Sequence, residues 1–221
     1  MTDRYTLYSA PGGGGMVVHA AFALEHIPIK LERVSWDDLG WQSKVIGHLN
    51  PLGQVPTMIL PSGEVVTESA AMLLLLKDIA PESTLIPDST HPSRPAFLRW
   101  LMVVNAALYP TFAYSDVPER WVQGDEQAAG QLKTGVDDHR KMLLTVLEQQ
   151  TVGPWFLGAQ MTALDLYFMT LRFWDPGLEC TPLMYRHSTA SVMISPRLSL
   201  CGKCWTNTSI HHDPLNSPPE R

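Results

Sequence analysis

The most informative stretch of the sequence is 50–56, which reads Asn-Pro-Leu-Gly-Gln-Val-Pro. A proline at the start of a strand removes a backbone donor from the ladder, so its presence there indicates a special role. If the Val55–Pro56 bond is cis, the N–H and C=O of Val55 turn outward, where they can pair with an extended peptide. Only about 5–6% of X–Pro bonds are cis, so the dipeptide alone does not establish this geometry.

A second stretch with chemical potential is 66–71, where a strand-like run passes into a helix-like one. The Ser69 hydroxyl and the free N–H groups of the helix start form a receptor for a carboxylate, helped by the helix dipole. Glu68 is available there for an ammonium group. The alternative is that Glu68 and Ser69 only cap the helix. Peptide pairing beside a pocket for an amino-acid head suits a γ-glutamyl peptide.

The first eighty residues predict a small α/β domain with the order β-α-β-(α)-β-β-α. Strand signals occur at 5–8, 29–34, 55–60 and 64–66, and helix signals occur at 16–26 and 68–79. The pattern at 29–34 alternates between apolar and polar residues over most of its length, as a half-exposed strand does. The turn Pro61-Ser62-Gly63 between the last two strands predicts a hairpin.

Beyond a proline-rich linker the sequence predicts helices only. Helical patterns cover 97–109, where Pro110 is expected to kink or end the helix, and 126–150. Another helix starts at Thr162-x-x-Asp165, a capping-box variant that we interpret as structural. The tail from 176 is rich in Ser, Thr and Pro and reads as irregular; a shifted reading frame is one possible origin. The predicted division is 1–80, a linker at 81–95, a helical domain at 96–175, and the tail at 176–221.

The sequence resembles the soluble glutathione transferase family over residues 4–175. The resemblance is carried by 50–56, 67–69, Phe156-Leu157-Gly158 and Thr162-x-x-Asp165, and it is strongest to bacterial members with Arg99-Trp100, Asn105, Tyr109-Pro110 and Pro118-Glu119-Arg120-Trp121. It implies a thioredoxin-like N-terminal domain followed by an all-helical C-terminal domain. It also implies a homodimer, glutathione as co-substrate, and a role in detoxification.

The resemblance implies a set of glutathione-binding residues. Val55 would pair with the cysteinyl backbone of glutathione, and Pro56 would be a cis-proline. Glu68 and Ser69 would hold the γ-glutamyl head. The remaining contacts would come from Gln54, to the peptide or its head group, and from Lys44, to the glycyl carboxylate.

The loop after the first strand departs from the family. The family activates the glutathione thiol with a Tyr, Ser or Cys there, whereas this chain has Pro11 followed by four glycines at 12–15. The family's tyrosine position falls on Ser9, and its cysteine or serine positions fall on glycines. Two activators remain open, the Ser9 hydroxyl and the glycine N–H groups alone. A third interpretation is that catalysis is lost and the protein only binds or carries ligands.

The electrophilic acceptor is expected to bind between the two domains, where small-molecule sites commonly form. The resemblance places the helical wall of this acceptor pocket at Arg99, Trp100, Asn105, Tyr109 and Tyr114. Asn105 and Tyr109 are four residues apart and are expected to share one helix face. The predicted reaction is attack of the glutathione thiolate on an electrophilic carbon.

Composition excludes several other functions. The formal net charge is −6, from 22 acidic and 16 basic residues, and no basic stripe indicates nucleic-acid binding. The longest apolar run, 70–76, is too short to span a bilayer, so we expect a cytoplasmic protein without a membrane partner. The spacing of the glycines does not fit a dinucleotide-binding loop.

The remaining rival is a redox or metal protein built on the tail. Cys180, Cys201 and Cys204 all lie there, and an odd number of cysteines in a cytosolic chain argues against a disulfide framework. Cys201 and Cys204 with His211 and His212 resemble a zinc site, but adjacent histidines rarely both face one metal. We therefore predict no metal site.

Overall fold

The computed structural model describes residues 4–40, 42–172 and 174. A four-stranded sheet with two helices occupies the N-terminal part, and helices make up the rest. This arrangement confirms the predicted fold class, a thioredoxin-like domain followed by an all-helical region. The predicted tail, with its cysteines and histidines, lies outside the described residues.

The sheet has the strand order β2-β1-β3-β4. β1 pairs in parallel with β2, and the pairs β1–β3 and β3–β4 are antiparallel. The bounds are β1 Tyr5–Ser9, β2 Ile29–Arg33, β3 Thr57–Ile59 and β4 Val65–Thr67, with α1 at Gly15–Leu24 and α2 at Ser69–Ile79. Between β2 and β3, where a helix was predicted as optional, the described residues form one short 3₁₀ turn, Trp36–Asp38.

Two boundaries differ from the sequence prediction. α1 ends at Leu24, before residue 26, and His26 adopts φ +56° in the turn that leads to β2. β3 begins only at Thr57, because the preceding Val55–Pro56 bond is cis and lies outside the ladder. The predicted order of the elements is unaffected.

The helical region contains a continuous rod from Arg94 to Asp116. It consists of α3 Arg94–Val103, a π-helical turn Val104–Leu108 and α4 Tyr109–Asp116. Pro110 was expected to kink or end the helix; the helix does not end there. Pro110 lies in the first turn of α4, directly after the π turn, where a missing N–H is tolerated.

The described part of the helical region contains three further segments. They are a short turn at Pro118–Trp121, α5 Glu126–Gln149 and α6 Ala163–Arg172. The predicted capping role of Asp165 is confirmed. Its carboxylate accepts the backbone N–H of Thr162 at 2.7 Å and that of Phe156 at 2.9 Å. These bonds tie the start of α6 to the preceding loop.

One apolar core joins the sheet to the helices. α1 lies in its centre, with Val17, Val18 and Phe22 fully buried, and α6 adds Leu166 and Phe168. Full burial of such side chains contributes about 1.5–3 kcal/mol each, so the two parts stabilise each other. The end of β1 and the start of α1 are therefore held firmly against α6.

The rod Arg94–Asp116 is also long and apolar enough, by length and composition alone, to cross a membrane. Its side chains Phe97, Leu101, Val104 and Leu108 are fully buried in the core of the protein. A core helix can have the same length and apolar composition, and we interpret the rod as a core helix.

Candidate active site

The register of the sheet brings three segments of the chain to one end. Thr57, the first residue of β3, pairs with Tyr8 near the end of β1 and with Thr67 at the end of β4. The loop after β1, the Val55–Pro56 bond before β3 and the start of α2 after β4 must therefore lie side by side. These are the segments that the sequence marked for chemistry.

The Val55–Pro56 bond is cis, as the family resemblance implied. Among the described residues, neither the N–H nor the C=O of Val55 takes part in a hydrogen bond. Buried Asn50 fixes the turn before it, because its side-chain amide donates to the carbonyl of Gln54 at 3.0 Å and to the hydroxyl of Thr57 at 3.2 Å. Val55 thus presents an unpaired peptide group on a braced turn.

The start of α2 has an unusual backbone. Glu68 precedes the helix with φ +65° and ψ 111°, a conformation that non-glycine residues rarely adopt and that occurs often at functional sites. Its exposed side chain makes no capping hydrogen bond. The simple capping interpretation therefore fails for Glu68, whose carboxylate remains available at the sheet end.

Ser69 is linked to the helical region through its side chain. Its hydroxyl lies 2.6 Å from the hydroxyl of Tyr167 in α6, which in turn donates to Asn105 Oδ1 at 3.3 Å. Burial raises the pKa of the Tyr167 hydroxyl above its usual range, although the hydrogen bond with Ser69 opposes that rise. Tyr167 therefore stays protonated, and its single proton goes either to Asn105 Oδ1 or to Ser69. When Tyr167 donates to Ser69, the Ser69 proton is left for a bound carboxylate.

The glycine loop is fastened by two indole rings. Trp36 donates from Nε1 to the Pro11 carbonyl at 2.9 Å, and Trp174 donates from Nε1 to the Gly12 carbonyl at 2.6 Å. The loop enters α1 without any side-chain cap, so the first N–H groups of that helix remain unpaired by side chains. The start of the glycine run 12–15 is thus held through the carbonyls of Pro11 and Gly12 by two distant tryptophans.

Ser9, the predicted activator, lies at the end of β1 and is only 6% exposed. Its hydroxyl donates to the Ala10 carbonyl at 3.3 Å, and a Cβ added at Gly15 would overlap Ser9 Oγ. The hydroxyl is thus packed beneath the start of α1. The same Cβ at Gly15 would lie 3.4 Å from Cβ of Pro56, so the start of α1 touches the cis-proline.

Tyr109, predicted as part of the acceptor wall, reaches the glycine loop. A Cβ built on Gly14 would overlap the Tyr109 hydroxyl oxygen and would lie 3.0 Å from Cζ. Burial raises the pKa of Tyr109 to about 12, and a backbone hydrogen bond from Gly14 opposes the rise. The phenol is therefore protonated at neutral pH and acts as a hydrogen-bond donor.

The other predicted acceptor residues lie in different surroundings. Asn105 accepts a hydrogen bond from Tyr167, as described above. Arg99 is exposed and stacks on Trp100, with its Cζ 4.3 Å from the centroid of the indole ring. Tyr114 is 38% exposed and forms an edge-to-face pair with Trp121, with the ring centroids 4.7 Å apart. The structure thus brings Asn105 and Tyr109 towards the sheet end and leaves Arg99 and Tyr114 at the surface of the rod.

Gln54 and Lys44 both have exposed side chains. Gln54 lies directly before Val55, and its carbonyl also accepts the Thr57 hydroxyl at 2.8 Å. Lys44 is placed by Asp38, whose carboxylate accepts its backbone N–H at 3.1 Å. That hydrogen bond, with a second from the Val45 N–H and one from Ser43, holds the pKa of Asp38 below its usual value.

Sequence reasoning missed three residues that complete the site, Trp36, Tyr167 and Trp174. Each acts on a segment far away in the chain: Tyr167 is 98 residues from Ser69, and Trp174 is 162 residues from Gly12. The only local signal was an apolar helix that carried a tyrosine. Within the described ranges no group of His, Cys, Asp or Glu could hold a metal ion.

Comparisons with known proteins agree with this fold. A family model described as glutathione S-transferase, N-terminal domain, matches residues 16–79. The uncharacterized GST-like protein YncG of Escherichia coli (strain K12) is 38% identical over 175 residues, which cover 78% of this chain and 83% of that protein. Glutathione S-transferase GST-4.5 of Xanthomonas campestris pv. campestris is 31% identical over 176 residues, covering 76% of this chain and 81% of its own.

The fold also matches solved structures. A glutathione transferase homolog from Sulfitobacter, with bound glutathione, superposes with a TM-score of 0.81 at 20% identity and covers 91% of this chain and 99% of its own. A glutathione transferase from Methylococcus capsulatus gives a TM-score of 0.72 at 24% identity, covering 91% of this chain and 98% of its own. At these identities the likeness concerns the fold.

Proposed function

Because the chain belongs to the glutathione transferase family, we propose that it binds glutathione and activates its thiol for attack on an electrophilic small molecule. The observation that carries this proposal is the unpaired peptide group of Val55, which lies beside the starts of two helices, α1 and α2. An extended peptide with a carboxylate at one end and a thiol in the middle fits this arrangement.

The cysteinyl residue of glutathione pairs with Val55, whose N–H and C=O have no described partner. The α-carboxylate of the γ-glutamyl head binds at the start of α2, where the Ser69 hydroxyl and unpaired N–H groups meet the positive end of the helix dipole. The ammonium group of the head pairs with Glu68. Gln54 contacts the peptide, and Lys44 contacts the glycyl carboxylate from the exposed loop.

The proposed reaction needs no redox step. The thiol releases its proton to solvent, and the thiolate sulfur then forms a bond to the electrophilic carbon of the acceptor. In a substitution the leaving group departs with the bonding electron pair; in an addition to a conjugated alkene the adjacent carbon takes a proton from water. The protein lowers the thiol pKa and holds the acceptor beside the sulfur.

Two groups were candidates for thiol activation. The Ser9 hydroxyl donates to the Ala10 carbonyl and is buried under α1, which weighs against it. The N–H groups at the start of α1 have no side-chain cap, which favours them. Ser9 is retained as a candidate for mutagenesis.

Two measurements on the purified protein test the proposal, namely glutathione calorimetry and conjugation of glutathione to an aryl halide. Saturable binding together with turnover above the uncatalysed rate is the expected result. The test variant is Ser69→Ala, at the start of α2, and its matched control is Ser62→Ala, in the exposed β3–β4 turn. We expect Ser69→Ala to weaken glutathione binding about fivefold and Ser62→Ala to leave it unchanged. No binding at millimolar glutathione would contradict the proposal.

A second candidate function is glutathione-dependent ligand binding without catalysis. The glycine loop favours it, because residues 12–15 carry no side chain that could activate a thiol. Calorimetry that shows glutathione binding, combined with an aryl-halide assay that shows no turnover, would select this alternative.

The family resemblance also supports three further proposals. We propose a homodimer, for which α2 offers an open groove lined by the apolar Leu74 and Leu75 beside Lys77 and Asp78. Light scattering on the purified protein measures the molar mass directly. The cytoplasmic location and the role in detoxification are proposed on the same basis and can be tested by cell fractionation and by the electrophile tolerance of a deletion strain.

A further inference from the structure

A hydroxyl group lies beside the glycine loop, but it belongs to Tyr109 of the helical region. Gly14 has φ −61° and ψ −16°, a conformation open to any residue, so the backbone does not require glycine there. The requirement is spatial, because a Cβ on Gly14 would overlap the hydroxyl oxygen of Tyr109. The loop is bare at this position because another element fills the space.

The Tyr109 hydroxyl is oriented by its surroundings. Gly14 supplies a backbone hydrogen bond to the Tyr109 oxygen, and Trp174 packs edge-to-face on the phenol ring with centroids 4.8 Å apart. Within the described part of the chain, no acceptor for the Tyr109 O–H proton is recorded. A phenol that accepts one hydrogen bond and has its own proton free is a donor that lacks its acceptor.

The free proton lies at the end of the sheet where the thiol is expected. Gly14 and Gly15 are consecutive, and Gly15 borders Pro56, which follows the unpaired peptide group of Val55. A cysteinyl residue paired with Val55 brings its sulfur to the start of α1. The Tyr109 hydroxyl is at that same helix start.

We infer that Tyr109 is a catalytic residue that donates a hydrogen bond to the glutathione thiolate, in place of the side chain that Gly14 lacks. The inference rests on the proposed function and deepens it. It moves Tyr109 from the acceptor wall to the sulfur and makes thiol activation depend on the docking of α4 onto the N-terminal domain.

The main test compares Tyr109→Phe with the wild type in three readouts. These are the glutathione Kd by calorimetry, the pKa of the bound thiol from the ultraviolet absorbance of the thiolate, and kcat with an aryl halide. We expect Tyr109→Phe to raise the thiol pKa by about one to two units and to lower kcat about tenfold to a hundredfold. We expect the glutathione Kd to stay within about twofold, because the peptide contacts are intact.

Two further variants control for structural effects. Tyr8→Phe removes the hydroxyl of a half-buried tyrosine in β1, outside the proposed site, and is expected to behave like the wild type. Gly14→Ala keeps the phenol but displaces its hydroxyl, so it is expected to raise the thiol pKa as Tyr109→Phe does. Ser9→Ala, measured alongside, separates the two hydroxyl candidates.

The outcomes distinguish this inference from the proposed function. If the wild type binds glutathione and Tyr109→Phe retains both its thiol pKa and its kcat, the inference is overturned and the proposed function stands. A rise in the thiol pKa in Ser9→Ala, without a rise in Tyr109→Phe, has the same consequence. If the wild type does not bind glutathione, both are overturned together. A rise in thiol pKa in Tyr109→Phe and Gly14→Ala, but not in Tyr8→Phe, supports the inference.

Discussion

The hydroxyls of Ser69 and Tyr167 lie 2.6 Å apart and form a buried hydrogen bond between the start of α2 and the middle of α6. Ser69 is 6% exposed and Tyr167 is fully buried. The proposed carboxylate site therefore does not belong to the N-terminal domain alone. Its serine is held in place by a residue that packs in the helical region.

Removal of the Tyr167 hydroxyl is expected to weaken glutathione binding. Tyr167→Phe keeps the ring in the core but takes away the partner of Ser69, and one hydrogen bond contributes about 0.5–1.5 kcal/mol. We expect the Kd to rise about threefold to tenfold in calorimetry. The double variant with Ser69→Ala should bind no more weakly than Ser69→Ala alone, since the two residues act as a pair. Full additivity would mean that Tyr167 acts independently of Ser69.

Gly53 should tolerate no side chain. It has φ +61°, and a Cβ there would overlap the Gly40 carbonyl oxygen. Strain and overpacking together predict a loss of about 2–5 kcal/mol of unfolding free energy for Gly53→Ala, measured in urea. The matched control is Gly63→Ala, which has φ +91° but open space around it, with an expected loss of about 1–2 kcal/mol. Equal losses would show that only the backbone conformation matters.

Asp165 should be among the most sensitive acidic residues for stability. It is fully buried, and its carboxylate accepts the backbone N–H groups of Thr162 and Phe156. Asp165→Ala leaves both donors unpaired, which predicts a loss of about 3–5 kcal/mol in urea unfolding. Asp125, an exposed cap that accepts the Ala128 N–H at 3.0 Å, is the control, with a loss of about 1 kcal/mol for Asp125→Ala. A similar small loss at both positions would contradict this account of Asp165.

Asp137 should make stability depend on acid pH. Its burial tends to raise its pKa, but hydrogen bonds from Lys133 and Ser115 and the charges of Arg140 and Lys133 outweigh it, so the pKa lies below the ordinary 3.8. The ionised form is therefore favoured in the folded state. This contribution is fully present above the ordinary pKa and is lost as the pH falls through the lowered one.

The measurement for Asp137 is the free energy of unfolding between about pH 6 and pH 3. We expect Asp137→Asn to flatten the curve at its acid end relative to the wild type. Asp138→Asn, at an exposed carboxylate that pairs with Lys141 at 3.1 Å, serves as the control and should follow the wild-type curve. If the Asp137→Asn curve also follows the wild-type curve, the ion pairs of Asp137 do not contribute to the free energy of unfolding at acid pH.

The sequence predicted the parts of this site that depend on neighbours in the chain. The order of the elements follows from the alternation in β2, the hairpin turn and the helix patterns. The cis bond at Pro56 was implied by the family resemblance that 50–56 carries. The boundaries of α1 and β3 were less accurate, since tertiary packing decides where a short strand ends. The helix does not end at Pro110, because the proline lies in the first turn after the π turn, and the sequence pattern did not reveal that turn.

The contacts that join the two domains could not be predicted in this way. That Tyr109 reaches Gly14, or that Trp174 binds the Gly12 carbonyl, depends on how two separately folded parts of the chain pack together. Neither hydrophobic periodicity nor motif spacing carries that information. The bare glycines therefore left the thiol activator open in the sequence, whereas in the structure Trp36 and Tyr109 occupy the space beside Gly13 and Gly14.

The π turn Val104–Leu108 sets the rotational phase between the two halves of the rod. Its hydrogen bonds span five residues instead of four, so the turn holds one residue more than an α-helix does over nearly the same arc. If the same residues wound as a regular α-helix, the segment beyond the turn would be rotated by about 100° about the axis. Tyr109 would then point away from Gly14, so the extra residue held in this turn directs the Tyr109 hydroxyl to the glycine loop.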